Sequence, residues 1–178
     1  MRELKDKIEI PNNVQVDLSI PNIKVKGPKG ETEKKIYHPS IKIEKQDKFI
    51  VLTTIKSTKK EKRLMNTIIA HIKNLIKGVL NGFEYELKIC SGHFPMNVSV
   101  EKNELVIKNF FGEKIPRRAK ILPNVIVKVA GDKLTVSGCN KEDVGQTCSN
   151  IEQGTRRTSF DRRIFQDGIW ITKKVKKI

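Results

Sequence analysis

The chain has 178 residues, 37% of them hydrophobic and 6% aromatic, and carries 36 Lys and Arg against 20 Asp and Glu for a net charge of +16. No stretch approaches the roughly 20 apolar residues of a membrane-spanning helix, the opening Met1 to Asp6 lacks an apolar signal core, and three cysteines without paired spacing argue against a disulfide framework or a Cys-based zinc site. What remains is a basic chain, suited to an anionic polymer, in a reducing compartment.

Ile8 to Val16 and Asp17 to Lys26 read as short strands. Gly27-Pro28-Lys29-Gly30 supplies the turn to a third strand around Thr32 to Tyr37, and Ile41 to Ile43 and Phe49 to Ile55 follow around Gln46-Asp47-Lys48. The period then changes: Leu64, Ile68, Ile72, Leu75, Ile76 and Val79 recur at helical spacing. Thr58 with Glu61 marks the start of that helix, and Gly78 and Asn81-Gly82 mark its end.

Phe83 to Cys90 alternates apolar with charged residues and opens a second set of elements. Asn97 to Val100 with Glu104 to Asn109, and Val125 to Ala130 with Lys133 to Ser137, read as hairpins turned by Lys102-Asn103 and Gly131-Asp132. A shorter helix is capped by Asn140, has Glu142 and Asp143 in its first turn, and turns Val144, Cys148 and Ile151 inward. Ile164 to Thr172, with Asp167-Gly168 as its turn, reads as a closing hairpin before the basic tail Lys173-Lys174-Val175-Lys176-Lys177.

The two sets echo each other. Pro11-Asn12-Asn13-Val14-Gln15-Val16 returns as Pro95-Met96-Asn97-Val98-Ser99-Val100, 84 residues later, and the glycine of Gly30-Glu31 returns 82 residues later in Gly112-Glu113. The expected architecture is therefore α+β: two tandem related domains, 1–82 and 83–178, each a mostly antiparallel sheet with one helix packed on a face.

Residues suited to catalysis are sparse. His38, His71 and His93 form no pair with metal-ligand spacing, and Cys139 and Cys148 lack the basic surroundings of an activated thiolate. Asp161 and Asp167 are the best acidic pair for a metal-dependent nuclease. However, Asp161 sits beside Arg162-Arg163 and Asp167-Gly168 is a turn dipeptide. Gly27-Pro28-Lys29-Gly30 lacks the ending and context of a phosphate loop, although Lys26 and Lys29 could touch a phosphate.

The strongest constellation is Thr155-Arg156-Arg157-Thr158-Ser159-Phe160-Asp161-Arg162-Arg163, with Lys173 and Lys174 nearby in sequence. Arginine's planar fork holds phosphate bidentately and stacks on bases. Arg117-Arg118 is a weaker candidate, as is Lys59-Lys60 at a helix start where backbone amides also draw phosphate.

Ile10-Pro11, Val25-Lys26-Gly27-Pro28-Lys29-Gly30, His93-Phe94-Pro95-Met96-Asn97-Val98, Asn109-Phe110-Phe111-Gly112-Glu113-Lys114 and Asp161 to Trp170 run collinearly through the chain. In these stretches it resembles the family of the sixth protein of the large ribosomal subunit (the ninth in eukaryotic naming), in its eukaryotic and archaeal branch. Thr155 stands where the eukaryotic pattern usually has cysteine. The resemblance implies a non-enzymatic, cytoplasmic constituent of the large subunit, without a cofactor, supporting translation. It implies binding to large-subunit ribosomal RNA chiefly through the second domain, near the sarcin-ricin region and the stalk base, with other ribosomal proteins as neighbours and translation factors nearby. The RNA-facing residues would be Arg156, Arg157, Arg162, Arg163, Lys173 and Lys174. Two other classes share the charge: an extraribosomal nucleic-acid-binding factor, and a small metal-dependent nuclease using Asp161 or Asp167.

Overall fold

The computed structural model describes residues 4–55 and 58–174. The chain divides into two compact units, Met1–Gly82 and Phe83–Ile178. In the first, strands β1 (Leu4–Glu9), β2 (Gln15–Ser19), β3 (Asn22–Gly27), β4 (Gly30–Lys35), β5 (Lys42–Gln46) and β6 (Phe49–Thr54) precede helix α1 (Lys59–Asn81). In the second, β7 (Phe83–Cys90), β8 (Asn97–Glu101), β9 (Glu104–Lys108), β10 (Arg117–Lys120), β11 (Val125–Ala130) and β12 (Lys133–Gly138) precede α2 (Lys141–Gly154) and a further strand, β13 (Gly168–Lys173).

The duplication holds element for element. The sheet β1-β6-β5 corresponds to β7-β12-β11, and β2-β3-β4 to β8-β9-β10. Every ladder is antiparallel, from Ile8 opposite Ile50 in the first unit to Leu87 opposite Leu134 in the second. β13 is the addition: it pairs antiparallel with the outer edge of β7, setting Ile169 opposite Ile89.

Alternation decides which side chains enter the cores. On β3, Ile23 and Val25 are buried while Lys24 and Lys26 face solvent, as period-two side-chain placement requires. On α1 the buried stripe runs through Met65, Ile68, Ile69, Ile72, Leu75, Ile76 and Val79. Each large apolar side chain so buried contributes about 1.5–3 kcal/mol, well above any difference in helix propensity, so packing holds this helix. Thr58 caps it by accepting from the Glu61 amide. Gly82 ends it at φ 77°, a left-handed conformation suited to glycine, donating its amide to the Gly78 carbonyl. The Lys29 amide in the β3–β4 turn donates to the Val79 carbonyl at 2.9 Å, satisfying another exposed helix-end acceptor. α2 packs Val144, Cys148 and Ile151 into a separate core with Leu87, Leu105, Ile107, Leu134 and Ile169.

The structure departs from the sequence reading at several places. The strand expected over Ile8 to Val16 stops at Glu9, because Pro11-Asn12-Asn13 turns the chain and Val14 N–H reaches Pro11 O at 3.0 Å. Asp17 to Lys26 is two strands, β2 and β3, broken at Ile20-Pro21. β10 pairs with β9 although only Ala119 of its four residues is buried. The closing hairpin does not form: Ile164 lies in a turn that bonds to the Asp161 carbonyl, and the strand begins at Gly168. The tail residues Val175, Lys176 and Lys177 lie outside the described residues.

Candidate nucleic-acid interface

The segment between α2 and β13 carries four arginines and is tied down at both ends. At its start Thr155, 3% exposed, donates its hydroxyl to the Glu152 carbonyl (3.1 Å) and accepts the Ile169 amide on the same oxygen (3.0 Å). One hydroxyl thus joins the end of α2 to the start of β13. At the far end the Asp167 side chain, 6% exposed, accepts the backbone amides of Gly92 and His93, each at 3.0 Å, and pairs with His93 Nδ1 at 3.1 Å. Burial pushes the Asp167 carboxyl up, but these hydrogen bonds outweigh it and hold the group below its ordinary value.

Within the segment, Asp161 forms a compact turn. Its carboxylate accepts the Arg163 amide at 2.9 Å and the Arg163 guanidinium at 2.7–3.2 Å. The hydrogen bond from Arg163 lowers the Asp161 carboxyl below its ordinary value. Arg163 therefore presents a neutralised pair, although its side chain is exposed.

An aromatic cluster supports the loop from below. The His93 ring stacks on Phe165 at 5.1 Å between centroids, Phe165 meets Phe160 edge to face at 4.9 Å, and Phe111 meets Phe110 edge to face at 5.0 Å. The Arg157 guanidinium lies 4.2 Å from the Phe160 centroid and 4.9 Å from that of Phe111, close enough for cation–π attraction to both. Arg162 lies 5.9 Å above the Trp170 ring, and the Trp170 N–H donates to the Gln166 carbonyl at 2.9 Å. Arg156, Arg157 and Arg162 thus stand on one constrained loop.

The remaining candidates are placed differently. Arg117 serves internal acceptors. It grips Glu113 through two 2.7 Å bonds, donates to the carbonyls of Gly154 and Arg156, and lies 4.4 Å from the Phe110 ring centroid. The hydrogen bond from Arg117 lowers the Glu113 carboxyl. Arg117 is thus a brace beneath the loop, which the spacing of Arg117-Arg118 in sequence did not reveal. Arg118 pairs at the surface with Glu104 (3.1 Å), and Lys173 with Glu86 (2.9 Å). Such exposed pairs are weak, of order 0–1 kcal/mol, and yield readily to a phosphate. Lys174 is exposed just past β13. Lys59 and Lys60, in the first turn of α1, are exposed and line a shallow basic surface with Arg63 in the first unit. Lys26 pairs with Glu31 at 3.4 Å.

The acidic residues that a nuclease would use hold separate partners, Asp161 with Arg163 and Asp167 with His93 and Gly92. Among the described residues, no group of three or more His, Cys, Asp or Glu side chains is placed to hold a metal ion. Burial pushes the Cys148 thiol up to about 12, leaving it protonated within the core. No helix among the described residues is long and apolar enough to cross a membrane.

Sequence comparison gives the family. Residues 10–82 and 94–168 each match the family described as ribosomal protein L6, so the family repeat coincides with the structural duplication. The large ribosomal subunit protein uL6 of Methanosarcina mazei is 51% identical over 174 residues, covering 98% of this chain and 99% of that protein. The uL6 proteins of Methanobrevibacter smithii and Methanothrix thermoacetophila are 45% and 42% identical over 96% and 98% of the chain. On the match of both repeats and this nearly full-length identity, the chain belongs to the ribosomal protein L6 family.

Proposed function

We propose that this chain is a structural constituent of the cytoplasmic large ribosomal subunit, holding large-subunit ribosomal RNA and performing no catalytic step of its own. Within the subunit it sits near the sarcin-ricin region and the stalk base, beside other large-subunit proteins and within reach of translation factors; the family resemblance supports that placement. The observation that carries the RNA-binding reading is the loop pinned by Thr155 and Asp167, which presents Arg156, Arg157 and Arg162, the last two against aromatic rings. Arg157, already held against the Phe160 and Phe111 rings, loses less side-chain freedom on meeting phosphate, so more of that contact energy appears as affinity. Lys173 and Lys174 extend the basic surface along the end of β13, and Arg163 and Arg118 reach phosphate by exchanging their carboxylate partners. Folded RNA offers such a surface its backbone and shallow minor groove, which are recognised largely by shape. In the first module Lys59 and Lys60 make a secondary phosphate contact.

Filter binding of large-subunit ribosomal RNA to the full chain at varied salt tests this. With six or more phosphate contacts the affinity falls on the order of a thousandfold between about 50 and 200 mM salt. Replacing Arg156, Arg157 and Arg162 by Ala reduces the slope of log affinity against log salt by about 2–3, close to one per phosphate contact removed. A flat salt response, or a slope unchanged in the triple variant, would refute this interface.

A further inference from the structure

A surface groove of about 240 Å³ runs beside the last turns of α2, lined by Ser149, Glu152, Gln153, Arg156, Arg162 and Trp170. Its chemistry is mixed in an informative way. The guanidinium groups of Arg156 and Arg162 have no hydrogen-bond acceptor or ion partner among the described residues, and the Glu152 carboxylate has no donor there. A groove built for phosphate alone has no use for a carboxylate, which repels the RNA backbone. A groove built for a nucleotide does, because the base presents donors where the backbone presents only acceptors. Guanine alone among the four bases offers two adjacent N–H groups, N1 and N2, on its Watson–Crick edge, the complement of the two acceptor oxygens of a carboxylate.

The indole is prepared for stacking. Its N–H is bound to the Gln166 carbonyl, which fixes the ring plane, and the Arg162 guanidinium stands 5.9 Å from its centroid on a flexible stem able to move aside. Stacking of an unpaired base on an aromatic ring is the usual way a protein takes hold of single-stranded RNA.

We infer that this groove is a nucleotide pocket, in which an unpaired guanine of the bound RNA stacks on Trp170 and donates N1–H and N2–H to Glu152, while Arg156 and Arg162 hold the flanking phosphates. The inference rests on the RNA-binding reading and adds a base to a contact otherwise made to phosphate.

Trp170 is the only tryptophan in the chain, so its fluorescence reports on this groove alone. The full-length protein is titrated with two short oligouridines of equal phosphate count, one carrying a single central guanosine. The guanosine oligomer quenches the indole at a concentration about tenfold or more below that of the other, in line with a stacked and hydrogen-bonded base. Glu152→Gln, which keeps the indole and its support, brings the two midpoints together. Quenching with equal midpoints in the wild-type chain means that the groove reads phosphate only, and the inference fails. Absence of quenching while ribosomal RNA is still retained in filter binding overturns the pocket and leaves the RNA-binding reading standing; loss of both overturns both.

Discussion

Asp167 carries more structure than its neighbours in sequence suggest. Three donors from Gly92 and His93 converge on one nearly buried carboxylate, joining positions 74 and 75 residues apart. Asp167→Ala removes these three hydrogen bonds to a nearly buried carboxylate and costs about 1–3 kcal/mol in all, since the donors on Gly92 and His93 remain open to water, read as a lower midpoint in denaturant unfolding. The folded-state carboxyl lies below its ordinary value, so its stabilisation is fully present above about pH 4, the unfolded value, and fades as the pH falls through the folded one. Asp167→Asn therefore starts less stable and shows a shallower loss on acidification, visible in melting temperatures across the acid range. Arg117 and Arg156 separate in a second way. Arg117→Ala lowers stability by leaving Glu113 and two carbonyls without their donor, whereas Arg156→Ala leaves the melting temperature nearly unchanged and weakens RNA binding. The reverse assignment of effects would contradict the placement of these two side chains. Sequence made both look like surface arginines. The Glu113 and Arg117 spacing was readable, but the Gly154 carbonyl that completes the site comes from an element 37 residues away.

Among the elements, those governed by local rules were legible and those governed by distant partners were not. The helix starts at Thr58 and Asn140 followed from capping chemistry, and the Asn140 side chain does accept the Glu142 amide at 3.0 Å. Asn140→Ala is expected to cost about 1 kcal/mol, measured by thermal or denaturant unfolding. β7 was readable because its alternation places Phe83, Tyr85, Leu87 and Ile89 on one face. Asp-Gly is a strong turn signal and points to a closing hairpin, whereas only the fold shows that this aspartate faces Gly92 and His93. β10 carries little signal in sequence because three of its four residues are basic, leaving Ala119 as its single apolar mark. Gly138, where β12 ends, shows how tightly α2 is seated: a Cβ there would come within 2.9 Å of Val144 Cγ2 and 3.1 Å of the Asn124 carbonyl. Gly138→Ala is expected to destabilise the second module by about 1–3 kcal/mol through overpacking, with faster amide exchange along β12 and α2.

Over the whole molecule, one α+β plan is used twice and diverges at the proposed RNA interface. Both modules share the order of six strands and a helix, yet only the second continues through an arginine-rich loop into a further strand, β13. The duplication was legible because short motifs recur at nearly constant offset. The preparation of the loop was not, because it depends on rings from Phe111, Phe160 and Phe165 meeting in space. The net charge of +16 suits long-range attraction to RNA, and the constrained loop is where we propose the local contact.

The central claim is that this chain is a stoichiometric part of the large ribosomal subunit, and sedimentation of the tagged protein from its own cells tests it most directly. Sucrose gradients are run with magnesium present and with magnesium withdrawn to part the subunits. The account predicts that the protein follows the large subunit in both gradients at near one copy per particle. Protein remaining at the top of the gradient, or present at a small fraction of the subunit, would contradict it.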